Sequence, residues 1–151
     1  MTEPRFDDFR AGDRFETAPR TVTDADIDTF TRLAGLSLPI FHDDAYARAH
    51  TAYGGRIAPG FLTAALSAGM MESVLGPDVL GGLAMDGFRF ASPVRAGDEL
   101  HAEIEVLEAR ATSDGRRGVV TLAIRMRNQR GETPLEYRAS LLMRRRSAAD
   151  G

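Results

Sequence analysis

The chain has 151 residues, 43% of them apolar and 27% charged, which is the size of a single domain spanning residues 1–151. A chain of this length hides roughly 68–70% of its unfolded surface, so it needs no metal or disulfide staple. Its lack of cysteine excludes thiol nucleophiles, CxxC redox chemistry and Cys-ligated zinc, while 19 basic against 22 acidic residues argue against nucleic acid as the main partner.

The opening MTEPRFDDFR is acidic and polar, unlike the apolar core of a signal peptide,. Residues 13–21 read as a short edge strand, since Pro19 is tolerated only at an edge. Thr23 caps a helix whose first turn holds Asp24 and Asp26, and Gly35 ends it. Ile27, Phe30, Leu33 and Ala34 supply its apolar face.

Residues 36–59 form a long irregular segment with a short helical piece from 43 to 50. A stretch of that length in a small domain usually has a function. It leads into a helix at 60–75, GFLTAALSAGMMESVL, apolar on nearly every face and therefore expected to be surrounded,. A membrane span needs about 20 mostly apolar residues. This one is shorter and contains Thr63, Ser67 and Glu72, so a buried helix in a soluble, cytoplasmic protein is expected, with no membrane partner.

The rest reads as strand: 82–90, 99–109, 118–128 and 135–145, separated by PVRAGD, TSDGRR and QRGETP,. Leu100, Ala102, Ile104 and Val106 alternate with His101, Glu103 and Glu105, and Val120, Leu122, Ile124 and Met126 repeat the pattern. A curved antiparallel sheet around one long helix, an α+β domain, is the expected architecture.

Three stretches carry a family resemblance: FDDFRAGDRFETAPRTVTDADIDTF, DDAYARAHTAYGGRIAPGFL and FRFASPVRAGDEL. Together they resemble the hotdog fold of the MaoC-like dehydratases, or (R)-specific enoyl-CoA hydratases. The last is the most specific, and it is a structural signature. The resemblance implies an acyl thioester, carried on CoA or an acyl-carrier protein, as substrate, with no further cofactor. It also implies a homodimer joined edge to edge, or a heterodimer with an intact relative.

The family's chemistry rests on a loop that normally reads G-D-x-N-P-[IL]-H-x-D-x-x-[YF]-A. Hydration of a trans-2-enoyl thioester needs one group to take a proton from water and one to present a proton to the α-carbon, while backbone amides polarise the carbonyl. Here Gly35, Pro39, Ile40, Asp43, Tyr46 and Ala47 match without a gap. The Asp position then falls on Leu36, the Asn position on Leu38 and the His position on Phe41. A second usual His becomes Pro59, ahead of Gly60, and a frequent serine becomes Ala65. The resemblance thus implies a site lined by Leu36, Leu38, Phe41, Pro59, Gly60 and Phe61 that lacks the usual dyad.

His42 and Asp43 are the fallback acid/base candidates. His42 would need an insertion and a compensating deletion to serve, and on an extended loop it would face away from Phe41. Asp43 and Asp44 suit a helix N-cap. His50 reads as a helix-end residue and His101 as lying on the polar strand face. No histidines have metal spacing, and no metal is expected. The glycines at 54–55 and 81–82 make no phosphate loop, and Arg144, Arg145 and Arg146 read as exposed strand-end charge. Three functions stay open: a hydratase or dehydratase of weak or relocated chemistry, a non-catalytic acyl-binding subunit beside an intact partner, and a thioesterase. The last is disfavoured because Glu72 lies about three turns inside the helix.

Overall fold

The computed structural model describes residues 3–146. Helix α1 (Asp24–Ala34) begins at a reciprocal cap: Thr23 Oγ1 accepts the Asp26 N–H at 3.1 Å, and the Asp26 carboxylate takes the Thr23 N–H at 2.9 Å,. Gly35 stops it in the left-handed conformation, φ 69°,. The buried face is Ile27 and Thr31 with Phe30 half-buried, whereas Leu33 is 84% exposed and Ala34 is exposed. The expected stripe was thus too wide: residue 33 lies about 240° around the helix from 27, on the solvent side.

The edge strand of 13–21 is two short pieces, β1 (Arg14–Glu16) and β2 (Arg20–Thr21), both antiparallel to β4 (Glu99–Ala111), with Pro19 in the break. Thr17 bridges the gap, its N–H donating to Ala102 O at 3.0 Å and its hydroxyl accepting the Ala102 N–H at 2.9 Å. With β3 (Val79–Phe90), β5 (Arg117–Arg127) and β6 (Leu135–Arg144), the sheet runs β1-β4-β5-β6-β3, antiparallel throughout. The expected alternation holds: Leu100, Ala102, Ile104 and Val106 are buried, as are Val120, Leu122, Ile124 and Met126.

These side chains meet α3 (Gly60–Leu75), which buries Leu62, Thr63, Ser67, Met70, Met71 and Leu75. Within this chain the helix is not fully surrounded. Phe61, Ala65, Gly69, Glu72 and Ser73 are exposed along one side, because the sheet covers it from one direction only. Strand β3 pairs with β6 alone, leaving a free edge with exposed Leu80, Leu83 and Met85.

The first described residues close the far end of the sheet. A 3-10 turn at Phe6–Asp8 sets the Phe6 ring directly on Gly118. Asp7 pairs with Arg145 at 3.0 Å, Asp8 with Arg146 at 3.0 Å and Asp78 with Arg144 at 2.8 Å. The three closing arginines are therefore committed to carboxylates and are not a free basic patch.

Asp98 anchors the turn before β4. Its carboxylate accepts from the Arg95 N–H at 3.0 Å, from Gln129 at 2.9 Å and from Arg130 at 3.0 Å. Burial pushes its pKa up, but these donors outweigh burial and hold it below the ordinary value. A lowered folded-state pKa gives stability that is present above the unfolded value, about 3.9, and lost as pH falls through the folded one. Asp98→Asn is expected to cost about 1–3 kcal/mol at pH 7 and to flatten the loss of stability below pH about 4. Urea melts of both proteins across pH 2.5–7 (roughly spanning these pKa values) check this, and parallel curves would refute it.

Candidate functional site

The site is built where the irregular segment feeds α3. Pro59 occupies the N-cap position without a side-chain cap. The N–H of Leu62 bonds to Pro59 O at 2.9 Å, and those of Gly60 and Phe61 have no acceptor among the described residues. Unsatisfied donors at the positive end of a helix favour negative charge.

The preceding loop is stitched to this helix end. The N–H of Ile57 donates to Ile40 O at 3.0 Å, and that of Ala58 to Val94 O at 2.7 Å. Arg56 is the hub: its guanidinium donates to Asp24 at 2.6 Å, Asp28 at 2.7 Å and the Phe41 carbonyl at 3.3 Å, and its N–H reaches Asp44 at 2.8 Å. These contacts hold Asp28 and Asp44 below the ordinary carboxylate pKa, through the Arg56 side chain and the Arg56 N–H respectively. His42 folds back so that Nε2 lies 2.8 Å from Leu36 O. Leu36, Phe41 and the helix end thus belong to one hydrogen-bonded unit.

Leu36 and Phe41 are half-buried, Leu38 is 57% exposed, Pro59 is buried and Phe61 is 66% exposed. Residues Pro39–Phe41 form a 3-10 turn, not an extended loop, so strand-like alternation does not apply to Phe41 and His42. Asp43 is the N-cap of α2 (Asp44–His50), accepting the Tyr46 N–H at 2.9 Å. His50 ends that helix, and His101 stands on the outer sheet face 3.3 Å from Glu16. No group of three metal-ligating side chains occurs among the described residues.

Beneath the helix end lies an aromatic stack. Tyr137 is buried, its hydroxyl 2.7 Å from Ser67 Oγ, and its ring stacks on Phe88 at 4.7 Å. Phe88 stacks on Phe90 at 6.2 Å, and Phe90 meets Phe61 edge-on at 5.9 Å. The Phe90 ring lies so close to Gly60 that a Cβ there would be 2.6 Å from it. An apolar groove of about 330 Å³ follows the open side of α3, lined by Ala65, Leu66, Gly69 and Met70 opposite Thr17 and Ala18.

A concavity of about 650 Å³ lies elsewhere, on the outer sheet face. Its charges neutralise one another, with Arg14 3.3 Å from Glu105 and Arg125 3.7 Å from Glu136. It offers no convergent chemistry.

A curved antiparallel sheet packed against one long central helix is the hotdog fold. Residues 8–126 match the family described as MaoC like domain. The chain belongs to this MaoC-like dehydratase family. A monoamine oxidase regulatory protein from Archaeoglobus is 33% identical, with a TM-score of 0.86 over 97% of this chain and 98% of that one. The (R)-hydratase PhaJ1 of Pseudomonas aeruginosa is 31% identical, with a TM-score of 0.78 over 96% of this chain and 88% of its own. The β-methylmalyl-CoA dehydratase of Chloroflexus aurantiacus is 30% identical over 144 residues, 93% of this chain and 40% of that protein. The chain spans 29% to 42% of the length of three of the curated relatives it matches. Among the described residues no helix is long and apolar enough to cross a membrane.

Sequence reasoning missed Arg56 and the stack of Phe88, Phe90 and Tyr137. A signal for the first existed: Asp24 and Asp28 stand four apart on one helix face, a pair that awaits a cation. For the stack, Phe88 and Phe90 stand two apart on one strand face,, but nothing local points to Tyr137, which comes from β6.

Proposed function

We propose that this chain binds an acyl thioester at the first turn of α3 and, alone, catalyses its hydration or dehydration only weakly. The observation that carries the reading is the loop holding Leu36 and Phe41, tied through Ile40 and Phe41 carbonyls to Ile57 and Arg56 just ahead of the uncapped amides of Gly60 and Phe61. The amides suit a thioester oxygen as charge develops on it, Phe61 and Phe90 wall the site, and the groove along Ala65 and Gly69 takes the acyl chain. Leu36 and Phe41 stand where the family's aspartate and histidine belong, and neither exchanges a proton with water. His42 remains the fallback base; Asp43, spent on its helix cap, is the weaker candidate.

A general acid or base contributes typically 10²–10⁴-fold. With both replaced, crotonyl-CoA hydration by the purified chain is expected at under about one hundredth of an intact hydratase's rate. The absorbance of the enoyl thioester reports it directly. Turnover matching an intact enzyme would overturn the reading, and His42→Ala would then locate the base.

A second reading draws on the free edge of β3. Unpaired apolar edges are liabilities that natural sheets cover. A cytoplasmic, single-domain chain of this kind pairs β3 with a second copy, or with a MaoC-like subunit that retains the dyad and makes this one a binding subunit. Sedimentation at micromolar concentration is expected to show a dimer of the 16.4 kDa chain. A monomer would count against it.

A further inference from the structure

We infer that residues 37–57 form a flap that opens as one piece ahead of α3, and that Arg56 is the positioning residue that latches it to α1. Only what the flap guards rests on the proposed acyl-thioester reading; the latch does not.

The stretch has little apolar surface to hold it down. From 37 to 57 only Ala47 and Gly55 are buried, and no side chain of the stretch joins the core cluster or packs against it. The core lies on either side, at Ile27 and Phe30 in α1 and at Ala58 ahead of α3. Segments with few buried apolar contacts open at a lower free energy than the whole fold. Both ends are pinned: the Leu36 N–H donates to Thr31 O at 2.9 Å, and the Ala58 N–H to Val94 O at 2.7 Å.

Between those pins the stretch is stitched to itself. The Ile57 N–H donates to Ile40 O at 3.0 Å, the Arg56 N–H to Asp44 at 2.8 Å and Arg48 Nε to Gly54 O at 3.2 Å. Apart from the reach of His42 to the pinned Leu36, the hydrogen bonds that leave it, among the described residues, all start at the Arg56 guanidinium and end on α1. They meet Asp24 at 2.6 Å and Asp28 at 2.7 Å. The Arg56 side chain is 13% exposed, while those of Asp24 and Asp28 are 73% and 56% exposed. A guanidinium so sheltered stays in place only while its charge is paired; without the carboxylates, opening returns it to water. The flap carries Leu38 and Phe41 and runs straight into the uncapped end of α3, so its opening sets how ligand enters and leaves.

The test is native-state hydrogen exchange of the full chain, read at Ala47, Thr51 and Ile57, whose N–H groups bond to Asp43, Ala47 and Ile40 inside the flap. These three are expected to exchange together, and faster than the paired amides of β5. Arg56→Gln, and separately Asp24→Asn with Asp28→Asn, are expected to speed them at least about 10-fold. The β5 amides are expected to gain no more than that, since a latch lost on opening is lost on unfolding too. Saturating butyryl-CoA is expected to slow the three in the unchanged chain. Exchange of the three only at the pace of β5 overturns the flap. No change at the flap in either variant, or a gain confined to β5, overturns the latch. Butyryl-CoA that binds without slowing them overturns the guarding of the site. Failure of butyryl-CoA to bind overturns the acyl-thioester reading, while exchange in the free protein still decides the flap and its latch.

Discussion

The double substitution Leu36→Asp with Phe41→His is expected to raise crotonyl-CoA hydration at least about 100-fold above the unchanged chain. The contacts that hold this loop are made by main-chain atoms: Leu36 O receives His42, Phe41 O receives Arg56 and Ile40 O receives the Ile57 N–H. New side chains at 36 and 41 therefore leave the stitching intact and change only the groups that, on the proposed reading, face the substrate. A misplacement of about 1 Å can cost on the order of 10²-fold, which is why the expected gain is set at the low end of the range for acid/base catalysis. Each single substitution supplies half of a pair that shares one water, and is expected to gain little. A well-folded double variant that binds butyryl-CoA normally and shows no gain would refute the assignment of positions 36 and 41.

Gly118→Ala is expected to cost about 2–4 kcal/mol and to lower Tm on the order of 10 °C. A Cβ at this position would stand 2.2 Å from the Phe6 ring. The glycine cannot retreat, because it is paired with Ala111 on one side and Met143 on the other. The ring must leave instead, and Phe6, 7% exposed, belongs to the core cluster. Phe6→Ala in the Gly118→Ala background should then add little, since the ring is already displaced. Additive losses in the double-mutant cycle would show that the overlap relaxes by another route.

The fold was legible because its signals are local. Alternation in 99–109 and 118–128, the Thr23 cap and the turn clusters place the strands and helices within a few residues of their observed bounds. What exceeded local reading was orientation. Leu33 shares a composition with Ile27 but not a direction, and the open side of α3 cannot be seen in a sequence apolar on every face. The candidate site was drawn only from resemblance, which proposed Leu36, Phe41 and Gly60 for it. Arg56 joins residues 28 and 32 positions away, and such a hub leaves no periodic trace.

The clamp between the chain's two ends sets an order on its birth. Asp7 and Asp8 find Arg145 and Arg146 across 138 positions of sequence, and Phe6 needs Gly118. During synthesis at roughly 5–20 residues per second, the opening segment waits on the order of ten seconds for its partners to emerge. Strand β1 waits too, because its ladder is residues 103–105 of β4. Before β3 to β6 are made, α1, α2 and α3 are the regular elements that need no strand partner, and α3 exposes an apolar surface with no sheet to cover it. Until β4 to β6 follow, α3 lacks the sheet that covers it in the folded protein, and Arg145 and Arg146, which hold Asp7 and Asp8, come directly after β6.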